Sequence, residues 1–267
     1  MPLRLDPSFR ERIAGSDRAL IGMWACSGSP LVTEVAAGSG LDWLLIDMEH
    51  SANTLESVLV QLQVAAAYPI APVVRVPWSD PVAIKQVLDL GAQNIIVPMV
   101  SSAEEARAAV SATRYPPEGV RGVGSALARS ARWNRVERYL NESAQHTSLT
   151  VQIETAAGVD AAAEIAAVDG VDAVFVGPSD LSASMGLLGQ QTHPEVVAAV
   201  EKVFAAVQGA GKPVGVNAFD PAAADAYIAA GADFVAVGAD VALLARASES
   251  LAARFIPASD GVTRASY

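Results

Sequence analysis

Short apolar runs rich in Val, Ile and Leu alternate along the chain with longer, alanine-rich amphipathic stretches. The runs predict eight strands, at 19–24, 43–47, 71–76, 94–98, 149–154, 173–177, 213–217 and 233–237. Several of them (APVVRV, NIIVPM, AVFVGP, DFVAVG) are almost continuously apolar, the pattern of parallel strands covered on both faces. Helices are predicted between them at 31–38, 55–67, 81–90, 103–113, 157–168, 194–209, 221–230 and 239–253. Many end in a glycine signal such as LDLGAQ or QGAGKP, and several begin on Asp-Pro, as in SDP and FDP. Both are helix boundary chemistry: Gly takes the left-handed position after the last turn, and Pro fits the first.

Eight strand–helix pairs without a break in composition predict one (β/α)8 TIM barrel, a single domain over 1–267. No GxGxxG run follows the first strand, which argues against a dinucleotide fold. One stretch breaks the rhythm. Between the fourth helix and the fifth strand, 114–147 is arginine-rich and opens RYPPEGVRGVGSALARSARWNR. It is too long for an ordinary connection, and its interspersed Val, Ala, Leu and Trp133 predict a subunit contact or an active-site cover.

Composition narrows the partners. With 52% hydrophobic residues and a net charge of −11, the chain suits a large core and does not suit nucleic acid. The single cysteine, Cys26, allows no internal disulfide, and no Cys/His zinc spacing exists. The N-terminal stretch lacks a signal-peptide core and no apolar run reaches membrane-spanning length, so a cytoplasmic protein is expected.

In such a barrel, chemistry sits at the carboxyl ends of the strands. Those ends carry Trp24, Asp47–Glu49–His50, Arg75, Gln152 with Glu154, the run GPSD from Gly177 through Ser179 to Asp180, and Asn217. Alternation along a strand puts Gln152 and Glu154 on one face, and Asp47 with Glu49 if the strand geometry continues that far. Glu154 and Asp180 end consecutive strands, and two carboxylates without soft ligands suit a hard cation such as Mg²⁺ or Mn²⁺. The plain alternative is that each acid caps the following helix. Arg75 at an apolar strand end requires an anion, either a substrate carboxylate or enolate or a structural partner. His50 has the range of a general base, although a lone histidine is more often structural. Only Lys85, Lys202 and Lys212 exist, none at a strand's carboxyl end, which argues against a Schiff-base aldolase.

The stretches WLLIDMEHSAN, APVVRVPWSDPVAIKQVLDLGAQ, the arginine-rich run, VQIET, VFVGPSDLSASMG and FVAVGADVALLARA together resemble the HpcH/HpaI family of metal-dependent class II pyruvate aldolases. The resemblance implies reversible cleavage of 4-hydroxy-2-oxo acids, such as 4-hydroxy-2-oxoheptanedioate, into pyruvate and an aldehyde, using Mg²⁺, Mn²⁺ or Co²⁺. It implies Glu154 and Asp180 as metal ligands, with Glu49 on a metal-bound water. It assigns His50 as base, Asp89 as the acid that orients it, Arg75 as enolate stabiliser, and Asp47 as a support for His50 or the aldehyde end. Gln152, Ser179 and Gly177 would contact pyruvate, with Trp24 and Asn217 in the substrate site. A homohexamer, a dimer of trimers with exchanged C-terminal helices, is implied in the same way.

Two positions depart from the family pattern. Met48 stands where Gly is expected, pointing away from Asp47 by strand parity, and Asn217 where an apolar residue such as Leu is expected. If that strand end contacts the aldehyde, the amide alters aldehyde preference or stereochemistry. A CoA-ester lyase of the citrate-lyase β-subunit type and a non-catalytic binding barrel are the competing readings.

Overall fold

The computed structural model describes residues 3–124 and 126–256. Eight parallel strands close a barrel in sequence order: β1 (Leu20–Ala25), β2 (Trp43–Asp47), β3 (Ala71–Arg75), β4 (Asn94–Val97), β5 (Ser148–Ile153), β6 (Ala173–Val176), β7 (Val214–Asn217) and β8 (Phe234–Ala239), with β8 pairing back to β1. Helix α1 (Phe9–Ala14) precedes the barrel. The first four strands are followed by α2 (Pro30–Ala37), α3 (Leu55–Ala65), α4 (Pro81–Asp89) and α5 (Ala103–Thr113). Then come α6 (Tyr139–His146), α7 (Ala156–Asp160), α8 (Ala162–Ala166), α9 (Pro178–Ser184), α10 (Pro194–Gly209), α11 (Pro221–Ala229) and α12 (Asp240–Phe255). Every predicted strand is present within two residues at each end. The helix expected at 157–168 is split at Ala161 into α7 and α8. Helices α1, α6 and α9, of 6, 8 and 7 residues, are too short to leave a readable 3.6-residue period.

Period-two alternation sorts the strand residues into two cores. Outward-facing side chains such as Ile46, Val74, Ile95, Val151 and Val174 pack under the helices. Inward-facing Trp24, Trp43, Leu45, Val73, Ile96, Phe175 and Phe234 fill the barrel. Bulk inside the barrel is matched by glycine: a Cβ on Gly22 would lie 2.4 Å from the Trp43 ring, and one on Gly215 2.4 Å from that of Phe234. Phe9 of α1 plugs the amino-terminal end, with its ring 5.4 Å from Trp43 and 5.2 Å from Phe234. Its backbone N–H donates to Asn94 Oδ1 at 2.7 Å. The floor of the barrel is therefore closed by α1.

The arginine-rich stretch packs at that closed end. Tyr115, Ala131, Val136 and Tyr139 form a small core with Leu5, and Arg129 Nη1 donates to the Leu90 carbonyl in the α4–β4 turn. It leaves α5 at the floor and re-enters at the start of β5, so it does not cover its own chain's barrel mouth. A cover over the chain's own site is thereby excluded, while Val120, Val123, Leu127 and Trp133 remain exposed on the stretch. Helix α12 buries only Asp240; Val241, Leu244, Leu251 and Phe255, spaced along one face, are exposed. No helix among the described residues is long and apolar enough to cross a membrane.

Candidate active site

The site grows from the register of β2 and β3. Asp47 and Arg75 are paired positions that end adjacent strands, both facing inward. Their side chains meet: Arg75 Nε donates to Asp47 Oδ1 at 2.7 Å, and Arg75 Nη1 lies 2.8 Å from Glu49 Oε2. Arg75 is 4% exposed, so it satisfies the demand for an anion with two structural acids rather than one. Its guanidinium stacks over the Trp24 ring at 4.3 Å. Trp24 Nε1 in turn donates to Asn217 Oδ1 at 2.7 Å. A single chain of contacts thus crosses the mouth from β2 to β7.

Asp47 also organises the loop beyond β2. Its two carboxylate oxygens accept from the backbone N–H of Glu49 at 3.0 Å and of His50 at 3.2 Å. The Asp47 carbonyl accepts from Asn53 Nδ2 at 2.7 Å and from the Ser51 hydroxyl. The helix cap that follows is Thr54, whose hydroxyl accepts from Ser57 N, and Asn53 is instead a buried tie between β1 and β2. These bonds hold His50 at the rim, where its side chain is 64% exposed and Nε2 lies 3.8 Å from Glu49 Oε1. Met48 faces the other way and packs against the helix-side core, as its parity requires.

On the far side, Gln152 and Glu154 both point inward from β5 and are joined by a short hydrogen bond from the amide to the carboxylate. Glu154 Oε1 accepts from Met99 N at 2.7 Å. Met99 holds φ +59°, a left-handed conformation that turns its N–H toward the carboxylate. Burial pushes the Glu154 carboxyl up to about 7; the Met99 bond opposes this, and the neighbouring charges of Glu49 and Asp180 add to it. Glu49 is raised as well, chiefly by burial, with Arg75 opposing. Capping does not explain Glu154, because Thr155 caps α7 through its own hydroxyl. Asp180 lies in the first turn of α9 and makes no side-chain cap. A Cβ on Gly177 would lie 2.7 Å from Glu154 Oε2 and 2.8 Å from Gln152 Nε2, so only glycine leaves these groups room.

One cavity of about 230 Å³ at the mouth is lined by Trp24, Asp47, His50, Arg75, Gln152, Gly177, Ser179, Asp180 and Asn217. Glu49 and Glu154 adjoin it through Arg75 and Gln152. Asp89 does not. It is the last residue of α4, at the closed end of the barrel, and its carboxylate accepts from Arg121 Nη2 at 2.6 Å. The lysines likewise stay outside: Lys202 pairs with Asp160, and Lys212 donates to the Val171 carbonyl.

The donor set fits a hard divalent cation. Glu154 is a buried carboxylate without a cationic hydrogen-bond partner, Gln152 Oε1 is buried without any partner, and Asp180 faces the same space. Among the described residues no group of three His, Cys, Asp or Glu side chains is placed to hold a metal ion by itself, so Glu154 and Asp180 would need water or substrate oxygens to complete the shell.

Several contributors were not legible beforehand. Met99 acts through its backbone, which residue type does not reveal. Asp240 accepts from Cys26 N at 2.9 Å and Ser27 N at 3.1 Å, fixing the loop after β1. It is an acid at the end of β8, so the strand-end rule could have found it. Cys26 and Phe219 also line the cavity, and burial pushes the Cys26 thiol up to about 12, which leaves it unreactive.

Known proteins similar to this chain point to one family. The HpcH/HpaI aldolase/citrate lyase family profile matches residues 20–247. A curated relative from Salmonella heidelberg (strain SL476), named 4-hydroxy-2-oxo-heptane-1,7-dioate aldolase, is 53% identical over 89% of this chain and 90% of its own length. A crystal structure of an HpcH/HpaI aldolase/citrate lyase family protein from Burkholderia cenocepacia J2315 superposes with TM-score 0.88 at 41% identity, covering 92% of this chain and 97% of that one. An HpcH/HpaI aldolase from Desulfitobacterium hafniense DCB-2 gives TM-score 0.86 at 29% identity, covering 97% and 100%. A profile that spans most of the chain, on a barrel whose acids, arginine and histidine meet at its mouth, leaves one assignment: the chain belongs to the HpcH/HpaI aldolase/citrate lyase family, whose members include carbon–carbon lyases of the aldolase type.

Proposed function

We propose that this protein is a divalent-metal-dependent pyruvate aldolase that reversibly cleaves 4-hydroxy-2-oxo acids, such as 4-hydroxy-2-oxoheptanedioate, to pyruvate and an aldehyde. The observation that carries the reading is the convergence of Glu154, Asp180, Arg75, Asp47 and His50 around one cavity. Its volume of about 230 Å³ suits a short 2-oxo acid better than a CoA ester.

Glu154 and Asp180 would hold the cation, with Glu49 touching its water shell. When bound, such a cation supplies Lewis acidity at the carboxylate and C2 carbonyl of the 2-oxo acid. Gln152, Gly177 and the backbone amide of Ser179 orient that head; the Ser179 hydroxyl is turned aside, donating to Gln191 Oε1 at 2.7 Å. His50, exposed at the rim, takes the C4 hydroxyl proton directly or through a water. The C3–C4 bond then breaks, its electron pair passing to C3 and the conjugated C2 oxygen. Arg75, fixed by Asp47, Glu49 and the Trp24 face, presents positive charge to that developing enolate. The aldehyde leaves through the mouth past His50, and reversal is aldol addition.

Asp89 enters this reading only through a second copy of the chain. The resemblance pairs it with His50, yet within one chain the two lie at opposite ends of the barrel. A homo-oligomer, in which Asp89 of one copy orients His50 of another, reconciles the two. The exposed apolar faces of α12 and of the arginine-rich stretch support such an assembly.

The test is pyruvate release from 4-hydroxy-2-oxoheptanedioate with Mg²⁺ or Mn²⁺, before and after EDTA. Metal-restored turnover is expected. Undiminished turnover in a demetallated protein, or none with either ion, would overturn the reading.

A further inference from the structure

The floor of the cavity carries a hydrogen-bond donor that the aldolase reading leaves without a task. An indole N–H can only donate, so the contact of 2.7 Å between Trp24 Nε1 and Asn217 fixes the oxygen of that amide toward the indole. The amide nitrogen is thereby turned the other way. No protein acceptor among the described residues faces it, although Asn217 lines the cavity. Trp24 is 7% exposed and pinned on its other side by Arg75, so the orientation is set by packing and not by substrate. The two N–H groups of this part-buried amide are therefore free to donate to a ligand in the cavity, beside apolar Phe175, Pro178 and Phe219.

The strand order says which half of the substrate it meets. Asn217 ends β7, beside β6, from whose end Asp180 projects, and across the barrel from β3. His50, which handles the C4 hydroxyl, stands over β2 at the exposed rim. The aldehyde half therefore lies toward β2 and the mouth, and the 2-oxo acid half toward β5–β7 and the floor. We infer that Asn217 selects 2-oxo acids bearing a hydrogen-bond acceptor on C3, with 3-hydroxypyruvate as the simplest probe. This rests on the aldolase reading and extends it to the nucleophile. In the addition, C3 loses a proton to a base, its electron pair forms the C3–C4 bond to the aldehyde carbon, and the aldehyde oxygen takes up a proton. The product is a 3,4-dihydroxy-2-oxo acid, with no change of redox state overall.

The experiment measures kcat/KM of the Mg²⁺-loaded enzyme for pyruvate, 3-hydroxypyruvate and 2-oxobutanoate with one fixed aldehyde. The last differs from the second by a methyl in place of the hydroxyl. The wild type is expected to prefer 3-hydroxypyruvate over 2-oxobutanoate by roughly tenfold. Asn217→Leu should abolish or invert that ratio. Asn217→Asp should also abolish it, since it keeps an acceptor for the indole and removes both donors; it decides the matter if the leucine variant does not fold. Turnover of pyruvate by the wild type with an unchanged ratio in the variants overturns this inference and leaves the aldolase reading standing. No turnover of pyruvate overturns the aldolase reading itself. A second series, glycolaldehyde against propanal with pyruvate fixed, locates the effect: a change confined to that series overturns the assignment to the 2-oxo acid half.

Discussion

Arg75 and Asp47 occupy paired positions at the ends of β3 and β2, and their 2.7 Å bond joins the charge that would face the enolate to the carboxylate that shapes the His50 loop. Asp47 thus touches both groups proposed for catalysis, Arg75 and the His50 loop, at once. Replacing it with Asn keeps the shape but leaves a guanidinium that is 4% exposed with one acid instead of two. Breaking a buried pair in this way costs about 3 kcal/mol, or roughly 6–12 °C in Tm for a domain of this size. Asp47→Asn is expected to lower kcat by about a hundredfold, with KM changing less. A calorimetric scan beside steady-state kinetics checks both; a fall in KM affinity alone would mean that Asp47 only binds substrate.

Glu154 is expected to make the protein's stability depend on pH and cation together. Its carboxyl is raised by burial from 4.5 to about 7, so between those values the folded chain holds a proton that the unfolded chain has lost. This group's contribution to the stability of the metal-free protein therefore falls as pH rises from about 4.5 to about 7, then levels off. A cation requires the ionised form, so the Tm increase produced by Mn²⁺ should grow over the same interval. Thermal scans from pH 5 to 8 with Mn²⁺ or EDTA test this. A metal-induced Tm shift that is flat across that range, or unaltered in Glu154→Gln, would sink the assignment.

Gly177 is expected to tolerate no side chain. A methyl there would sit 2.7 Å from Glu154 Oε2, displacing the carboxylate from its bond to Gln152 and from the Met99 N–H. Because both neighbours are buried, they have no open space to swing into. Gly177→Ala should therefore weaken Mn²⁺ binding by about tenfold or more, read by calorimetric titration, while the far-ultraviolet circular dichroism stays that of a barrel. Unchanged Mn²⁺ affinity would show that Glu154 is not a ligand.

Strands were readable here because they are buried on both faces and need no partner information: VVRV, IIVP and VFVG declare themselves. The inward set at the mouth followed from parity, which correctly put Asp47, Gln152 and Glu154 inside and Met48 outside. What parity cannot show is a backbone donor such as the Met99 N–H, or that Asn53 ties strands together while Thr54 caps the helix. The arginine-rich stretch was only half legible for a different reason. Which end of the barrel it occupies depends on the direction of α5, so it lies under the floor and not over its own mouth. Resemblance marked Asp89 as a site residue, and only the fold reveals that one chain cannot bring it to His50.

That separation of Asp89 from His50 gives the sharpest test of the assembly. If Asp89 orients His50 of another copy, His50→Ala and Asp89→Ala homo-oligomers are both impaired, yet each chain still supplies what the other lacks. In mixed oligomers, a site formed by His50 from the Asp89→Ala chain and Asp89 from the His50→Ala chain is whole. Random mixing at equal amounts would restore up to about a quarter of wild-type sites, given a symmetric assembly in which each site joins two copies. Co-expression of the two variants with different affinity tags, tandem purification and kinetic assay reads this directly. Because Asp89 also pairs with Arg121 at 2.6 Å, an Asp89→Asn variant that keeps the hydrogen bond separates loss of orientation from loss of folding. Recovered activity in the mixed oligomer supports trans pairing. Mixed oligomers that form but remain at the level of the parents would show that Asp89 serves only the Arg121 contact within its own chain.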